Sequence, residues 1–150
     1  MSTSQADHEW FMRLAMAEAA MCAAAGGRPY GTVVVHDGIV IGRSGPRKDS
    51  RKNPIGHAEI LAVQEAAQYL GTADMTGCTV YNNQGSCMMC CGVMVANNVS
   101  LVVSGITPVP EGEDNLDKLI ALMGRGEHTK ILRGVLEEEA AEHFQALFKG

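Results

Sequence analysis

Between about Gln5 and Ala25, the apolar residues Phe11, Leu14, Ala15, Met21 and Cys22 recur mostly at three- and four-residue intervals. That spacing predicts one face of an amphipathic helix, which Gly26-Gly27-Arg28-Pro29 ends. The pattern then turns β-branched. Thr32 to His36 predicts a strand, Asp37-Gly38 a two-residue hairpin turn, and Ile39-Val40-Ile41 the returning strand. Ser44 to Gly56 has no periodicity and reads as a loop. Helical spacing resumes at His57 and runs to about Leu70, with Ile60, Leu61 and Val63 for burial. Thr79 to Tyr81 predicts a third strand, Cys87 to Ala96 a helix ending at Asn97-Asn98, and Val99 to Val103 a fourth strand. A short helix over Leu116 to Met123, a fifth strand over Thr129 to Leu132 and a closing helix over Leu136 to Phe148 complete the chain. Glu137, Glu138 and Glu139 suit the positive end of that last helix. The order α-β-β-α-β-α-β-α-β-α predicts an α/β fold: a three-layer α-β-α sandwich around a five-stranded mixed sheet.

At 150 residues the chain is expected to form one domain, residues 1–150, able to bury a core without disulfides. Its 46% hydrophobic and 19% charged residues suit a soluble globular protein. The formal net charge is -5. A groove for phosphates usually shows as a basic excess or stripe. The basic residues that do cluster, Arg43, Arg47, Lys48, Arg51 and Lys52, read as a solvated loop. The charge balance therefore argues against a nucleic-acid partner and favours a small substrate. No secretory signal or membrane-length apolar run is visible: Glu18 interrupts the small apolar stretch from Ala15 to Ala25. Five cysteines, an odd number, then point to free thiols in the reducing cytoplasm.

The candidate chemistry lies in His57-Ala58-Glu59 and Cys87-Met88-Met89-Cys90. One imidazole and two thiolates suit zinc, and a three-ligand set leaves a position open for water. Cys87 and Cys90, three apart in a first helical turn, share one face. The helix end there is expected to favour the thiolate that binds metal. Glu59, two residues after the histidine, is placed to move protons. The pattern H-x-E…P-C-x-x-C marks zinc deaminases in which the glutamate is the general acid/base and not a ligand. Plainer readings exist for each part. The histidine could cap its helix, the C-x-x-C pair could be a redox dithiol or half of a structural zinc site, and Cys91 could join a thiolate set that omits His57. Cys22 and Cys78 read as core residues, and Met88, Met89 and Met94 as packing.

With these residues the chain resembles the cytidine deaminase superfamily, on the branch of fungal-type cytosine, bacterial guanine and tRNA adenosine deaminases. The resemblance runs through Gly26 to Gly31, Asn53 to Ile60, Tyr81 to Gly92 and the tail from Gly124 to Phe148. It implies Zn2+ held by His57, Cys87 and Cys90, with Glu59 as the proton shuttle. It implies backbone N–H groups near Ala58 and Cys87 holding the substrate, and a homodimer. Tyr30, Asn82, Asn83 and His128 are candidate substrate contacts by position.

Three residues depart from the family pattern. Ser86 stands in place of the proline before the first cysteine, which predicts a less rigid loop. Gly85 removes a side chain that commonly touches substrate, and Pro46 replaces an asparagine that usually binds the base. Asn82 and Asn83 are placed to supply the missing amide. The expected activity is hydrolytic release of ammonia from a small free heterocycle, cytosine-like, guanine-like or related, with the ring left open by these departures. The alternatives are a nucleoside or tRNA deaminase, or a catalytically silent zinc-binding subunit. Silent subunits of this fold typically lose the glutamate, which is present here.

Overall fold

The computed structural model describes residues 3–46 and 52–149. Arg47, Lys48 and Arg51 of the basic cluster lie outside the described residues. Helix α1 (Gln5–Ala24) starts at the N-cap Ser4, whose hydroxyl accepts from the Asp7 N–H at 3.1 Å. Strands β1 (Thr32–His36) and β2 (Ile39–Arg43) follow as an antiparallel hairpin. Its turn residues Asp37 and Gly38 both have positive φ, at 50° and 75°, as a two-residue primed turn requires. Then come α2 (Ala58–Leu70), β3 (Thr79–Gln84), α3 (Met88–Ala96), β4 (Leu101–Ile106), α4 (Asn115–Met123), β5 (Lys130–Leu132) and α5 (Glu137–Lys149).

The five strands form one mixed sheet in the order β2-β1-β3-β4-β5. β1 runs antiparallel to both of its neighbours, while β3, β4 and β5 are parallel. Alternation along the strands divides the core in two. Val33, Val35, Tyr81 and Val103 face one side, where they meet Phe11, Met12 and Ala15 of α1 and Ala140 of α5. Val34, Val80 and Val102 face the other, with Ala62, Val63 and Ala66 of α2 and Cys91, Met94 and Val95 of α3. The result is the expected α-β-α sandwich.

Two glycines set how closely helices approach the sheet. A Cβ on Gly31 would run into the Ala15 carbonyl oxygen and Ala19 nitrogen of α1. One on Gly42 would meet the Ala62 carbonyl oxygen of α2 in the same way. Both helices answer with alanines four apart, so strand backbone touches helix backbone. Gly42→Ala is expected to destabilise by about 3 kcal/mol, the upper end of overpacking costs, because backbone and not a flexible side chain must yield. Urea denaturation of the two proteins measures it.

Parallel β3 and β4 both end at one edge of the sheet, with Gln84 paired to Ile106. The loops leaving those ends, 85–87 and 107–114, meet there, as crevices outside parallel strand ends do in α/β sheets. The second loop is tied down: Thr107 donates to Glu137 of α5, and Arg133 pairs with Asp114 at 3.0 Å and donates to the Val109 carbonyl. Among the described residues, no helix is long and apolar enough to cross a membrane.

Candidate active site

His57 and Cys87 occupy matching positions. Each is the N-cap of its helix, α2 and α3, and neither side chain makes a capping hydrogen bond. Both are therefore directed elsewhere, and they meet. His57 Nδ1 lies 3.5 Å from Cys87 Sγ and 3.5 Å from Cys90 Sγ, and the two sulfurs are 3.5 Å apart. Tetrahedral zinc with bonds of ~2.3 Å to sulfur and ~2.0 Å to nitrogen would place nitrogen and sulfur roughly 3.5 Å apart and the two sulfurs roughly 3.8 Å apart. The triangle fits that ion with a slight expansion and leaves a fourth position. Among the described residues these three are the set whose ligand atoms converge in this way, and neither Glu59 nor Cys91 belongs to it.

Burial, and then the charges of Glu59 and Cys87, push the Cys90 thiol up from its ordinary range. In the metal-free protein desolvation and those charges favour the neutral thiol, and a divalent cation in the triangle would reverse that balance. Cys91 turns the other way, its thiol 3.9 Å from the Ser86 carbonyl and packed in the core with Met94. Burial followed by the Glu59 charge raises it to about 12. Cys22 and Cys78 are buried, as expected, but Met88 and Met89 are exposed at 43% and 38%, and only Met94 packs inside. The first turn of α3 offers its outer face to solvent, a placement that residue type alone does not reveal.

A cavity of ≈ 450 Å³ opens beside the triangle. Glu59, half-buried on the first turn of α2, lines it together with His57, Cys87 and Ala58. Tyr30, Asn82 and Asn83 line it from the sheet side. The two amides have work already. Asn83 accepts from the Gly31 N–H at 3.0 Å and donates to the Pro29 carbonyl at 2.9 Å, clamping the loop that carries Tyr30. Asn82 accepts from the Thr32 hydroxyl and donates to the Ser86 hydroxyl. Asn83→Ala is expected to raise KM more than it lowers kcat, since it frees the Tyr30 wall and leaves the triangle intact; steady-state kinetics distinguish the two.

His128 is not brought to the cavity. Its Nε2 lies 3.1 Å from the Val95 carbonyl. Residue 128 precedes β5, whose first residue pairs with the first residue of β4, so it sits at the opposite edge of the sheet from the site. Pro46 is exposed and does not line the cavity. Sequence reasoning missed Gln84, Pro108, Asn115 and Arg28, which do line it. For Pro108 and Asn115 the signal was topological: the loop after β4 must meet the loop after β3.

A family profile described as MafB19-like deaminase matches residues 6–139. The chain belongs to this family. The new member is 32% identical over 142 residues to the tRNA-specific adenosine deaminase of Bacillus subtilis, covering 94% of this chain and 88% of that one. Among solved structures, it superposes on a tRNA:A34 deaminase studied for A-to-I editing at the wobble position, with a TM-score of 0.74, 27% identity, and coverage of 89% and 98%. It also matches the guanine deaminase of Bacillus subtilis at a TM-score of 0.61, 30% identity, and coverage of 65% and 63%. These place this MafB19-like deaminase within the cytidine deaminase superfamily. They also overturn the expectation that nucleic acid is no partner: proteins named for tRNA span nearly the whole chain. Net charge averages the entire surface, whereas recognition of one nucleotide depends on charges within about 10 Å of the cavity.

Proposed function

We propose that this deaminase is a zinc-dependent hydrolase acting on adenosine in tRNA, releasing ammonia and leaving inosine. The observation that carries the reading is the His57–Cys87–Cys90 triangle with Glu59 beside it on a cavity wall. The tRNA assignment is supported by the relatives' names and near full-length match. Exposed Arg28 on the cavity lining is in position to meet a phosphate.

His57, Cys87 and Cys90 would hold the ion, which when bound would lower the pKa of a water from 15.7 to about 7. Glu59 takes the water's proton and delivers it to the ring nitrogen next to the carbon bearing the amino group. The oxygen adds to that carbon. Glu59 then takes the proton of the hydroxyl so formed and passes it to the amino group, so that the C=O bond forms as the C–N bond breaks and ammonia leaves. The cavity walls from Tyr30, Asn82 and Asn83 orient the ring. A base enters such a site only after leaving its stack, and an RNA loop offers unstacked bases. The thiols suit the reducing cytoplasm, and the exposed Met88 and Met89 support a homodimer formed beside the site.

One observation favours a second reading, a free purine base as substrate: the 30% identity to a guanine deaminase. Inosine and ammonia are to be measured with an anticodon stem-loop RNA, free adenosine, guanine and cytosine. Turnover of the RNA and none of guanine is expected. The reverse result would transfer the assignment to the free base, and zinc-loaded protein inert on every substrate would overturn both.

A further inference from the structure

The residue before Cys87 is where the family's proline is missing, yet the structure shows this residue held from several sides. The Ser86 hydroxyl accepts from Asn82 Nδ2 at 2.7 Å. The Ser86 carbonyl accepts from Asn115 Nδ2 at 2.9 Å and faces the Cys91 thiol at 3.9 Å. The preceding Gly85 N–H donates to the Ile106 carbonyl at 3.0 Å. The donors are themselves anchored. Asn82 is buried and accepts from Thr32 Oγ1 at 2.8 Å, and the Thr32 N–H donates to Ser44 Oγ at 3.1 Å. Asn115 is the first residue of α4, next to the N-cap Asp114 that Arg133 grips.

We propose that Asn82 and Asn115 are positioning residues that replace the missing proline, fixing Ser86 by hydrogen bonds from the sheet and from α4 so that Cys87 is held in register with His57 and Cys90. A proline would fix φ of residue 86 near −65° by its ring and would donate no N–H. Serine leaves φ free, and a metal ligand must be held within about 0.5 Å to bind well. The brace supplies that restraint through one side chain four residues before Ser86 and one 29 residues after it. The loop is thus not the looser one that its serine suggests. Among the described residues the Ser86 N–H donates to no backbone carbonyl outside the regular elements, so a proline there breaks no such bond.

The inference rests on the zinc reading of the triangle, and its test separates the two. Zinc affinity is measured by competition with a chromogenic chelator for wild type, Asn115→Ala, Ser86→Ala and the double variant Asn115→Ala with Ser86→Pro, with circular dichroism as the control for folding. Both single variants should weaken zinc binding by about 10–100-fold, the usual effect of removing support from a metal ligand. Ser86→Pro should restore wild-type affinity in the Asn115→Ala background, which a merely destabilised fold would not allow. Wild type that binds no zinc would sink the reading of the site. Zinc-bound wild type with unchanged affinity in both single variants overturns the brace alone. A folded double variant no tighter than Asn115→Ala also overturns it, and if that variant does not fold the single variants decide.

Discussion

Glu59→Gln is expected to reduce turnover by at least 10²–10⁴-fold while leaving zinc content and secondary structure unchanged. The side chain keeps its size and both its polar atoms, so the first turn of α2 and the cavity wall should persist. What it loses is the ability to accept a proton and return it. The proposed reaction uses that ability twice, first to protonate the ring and then to expel ammonia, so no single rescue step compensates. Glu59 is outside the converging ligand set, and its charge is one of the causes that raise the Cys90 thiol. Lying outside the ligand set, Glu59 should leave the ion bound when it is replaced. Kinetics on the stem-loop RNA together with zinc analysis check the pair of outcomes. A variant retaining turnover within tenfold of wild type would remove Glu59 from the mechanism; a variant that loses its zinc would make it a ligand.

Legibility in the sequence followed the balance of local and distant forces. The α1 periodicity, the Asp37-Gly38 hairpin and the helices opened by His57 and Cys87 are local signals, and each appears within a residue or so of its expected bounds. The strands that carry the site were less legible. β3 continues through Asn82, Asn83 and Gln84, where a polar run suggests a loop, because those amides are satisfied by Thr32, Ser86, Pro29 and Gly31 and can be buried. β4 begins later than the apolar run, at Leu101, since the Val99 N–H donates to Met94 and the Ser100 N–H to Cys78. It continues through Ser104 and Gly105, which look like a turn. Gly105 is there because a Cβ would stand 2.8 Å from the Asn83 carbonyl oxygen. In each case polar or small residues sit inside the sheet at the end nearest the cavity. Local rules fail at functional ends of elements, where side chains answer to neighbours far along the chain. The site was legible because each half is a local motif, Cys87 and Cys90 three apart in one turn and His57 and Glu59 two apart in the other, although the halves lie 30 residues apart. The brace around Ser86 was not, because Asn115 is 29 residues away.

Removing zinc is expected to abolish activity and to lower the melting temperature together. The ion would join the first turns of α2 and α3, contributed by separate segments of chain, and anything that binds only the folded form stabilises it by mass action. At free zinc a thousandfold above Kd that amounts to about 4.1 kcal/mol. For a chain of this length each kcal/mol shifts the midpoint by roughly 2–4 °C, so chelation should lower it by roughly 8–16 °C. Neither His57 nor Cys87 makes a capping bond that would take over when the ion leaves. Cys90 is buried with a thiol that strongly prefers its proton, so the stripped triangle holds a neutral group where a charged bridge had been. Thermal melts followed by circular dichroism, with chelator and then with zinc restored, test this directly. Zinc should return both the midpoint and the turnover, while magnesium, a hard ion that favours oxygen ligands, should return neither. A midpoint unmoved by chelation, with activity intact, would show that the triangle holds no resident ion and that the chemistry proceeds without one.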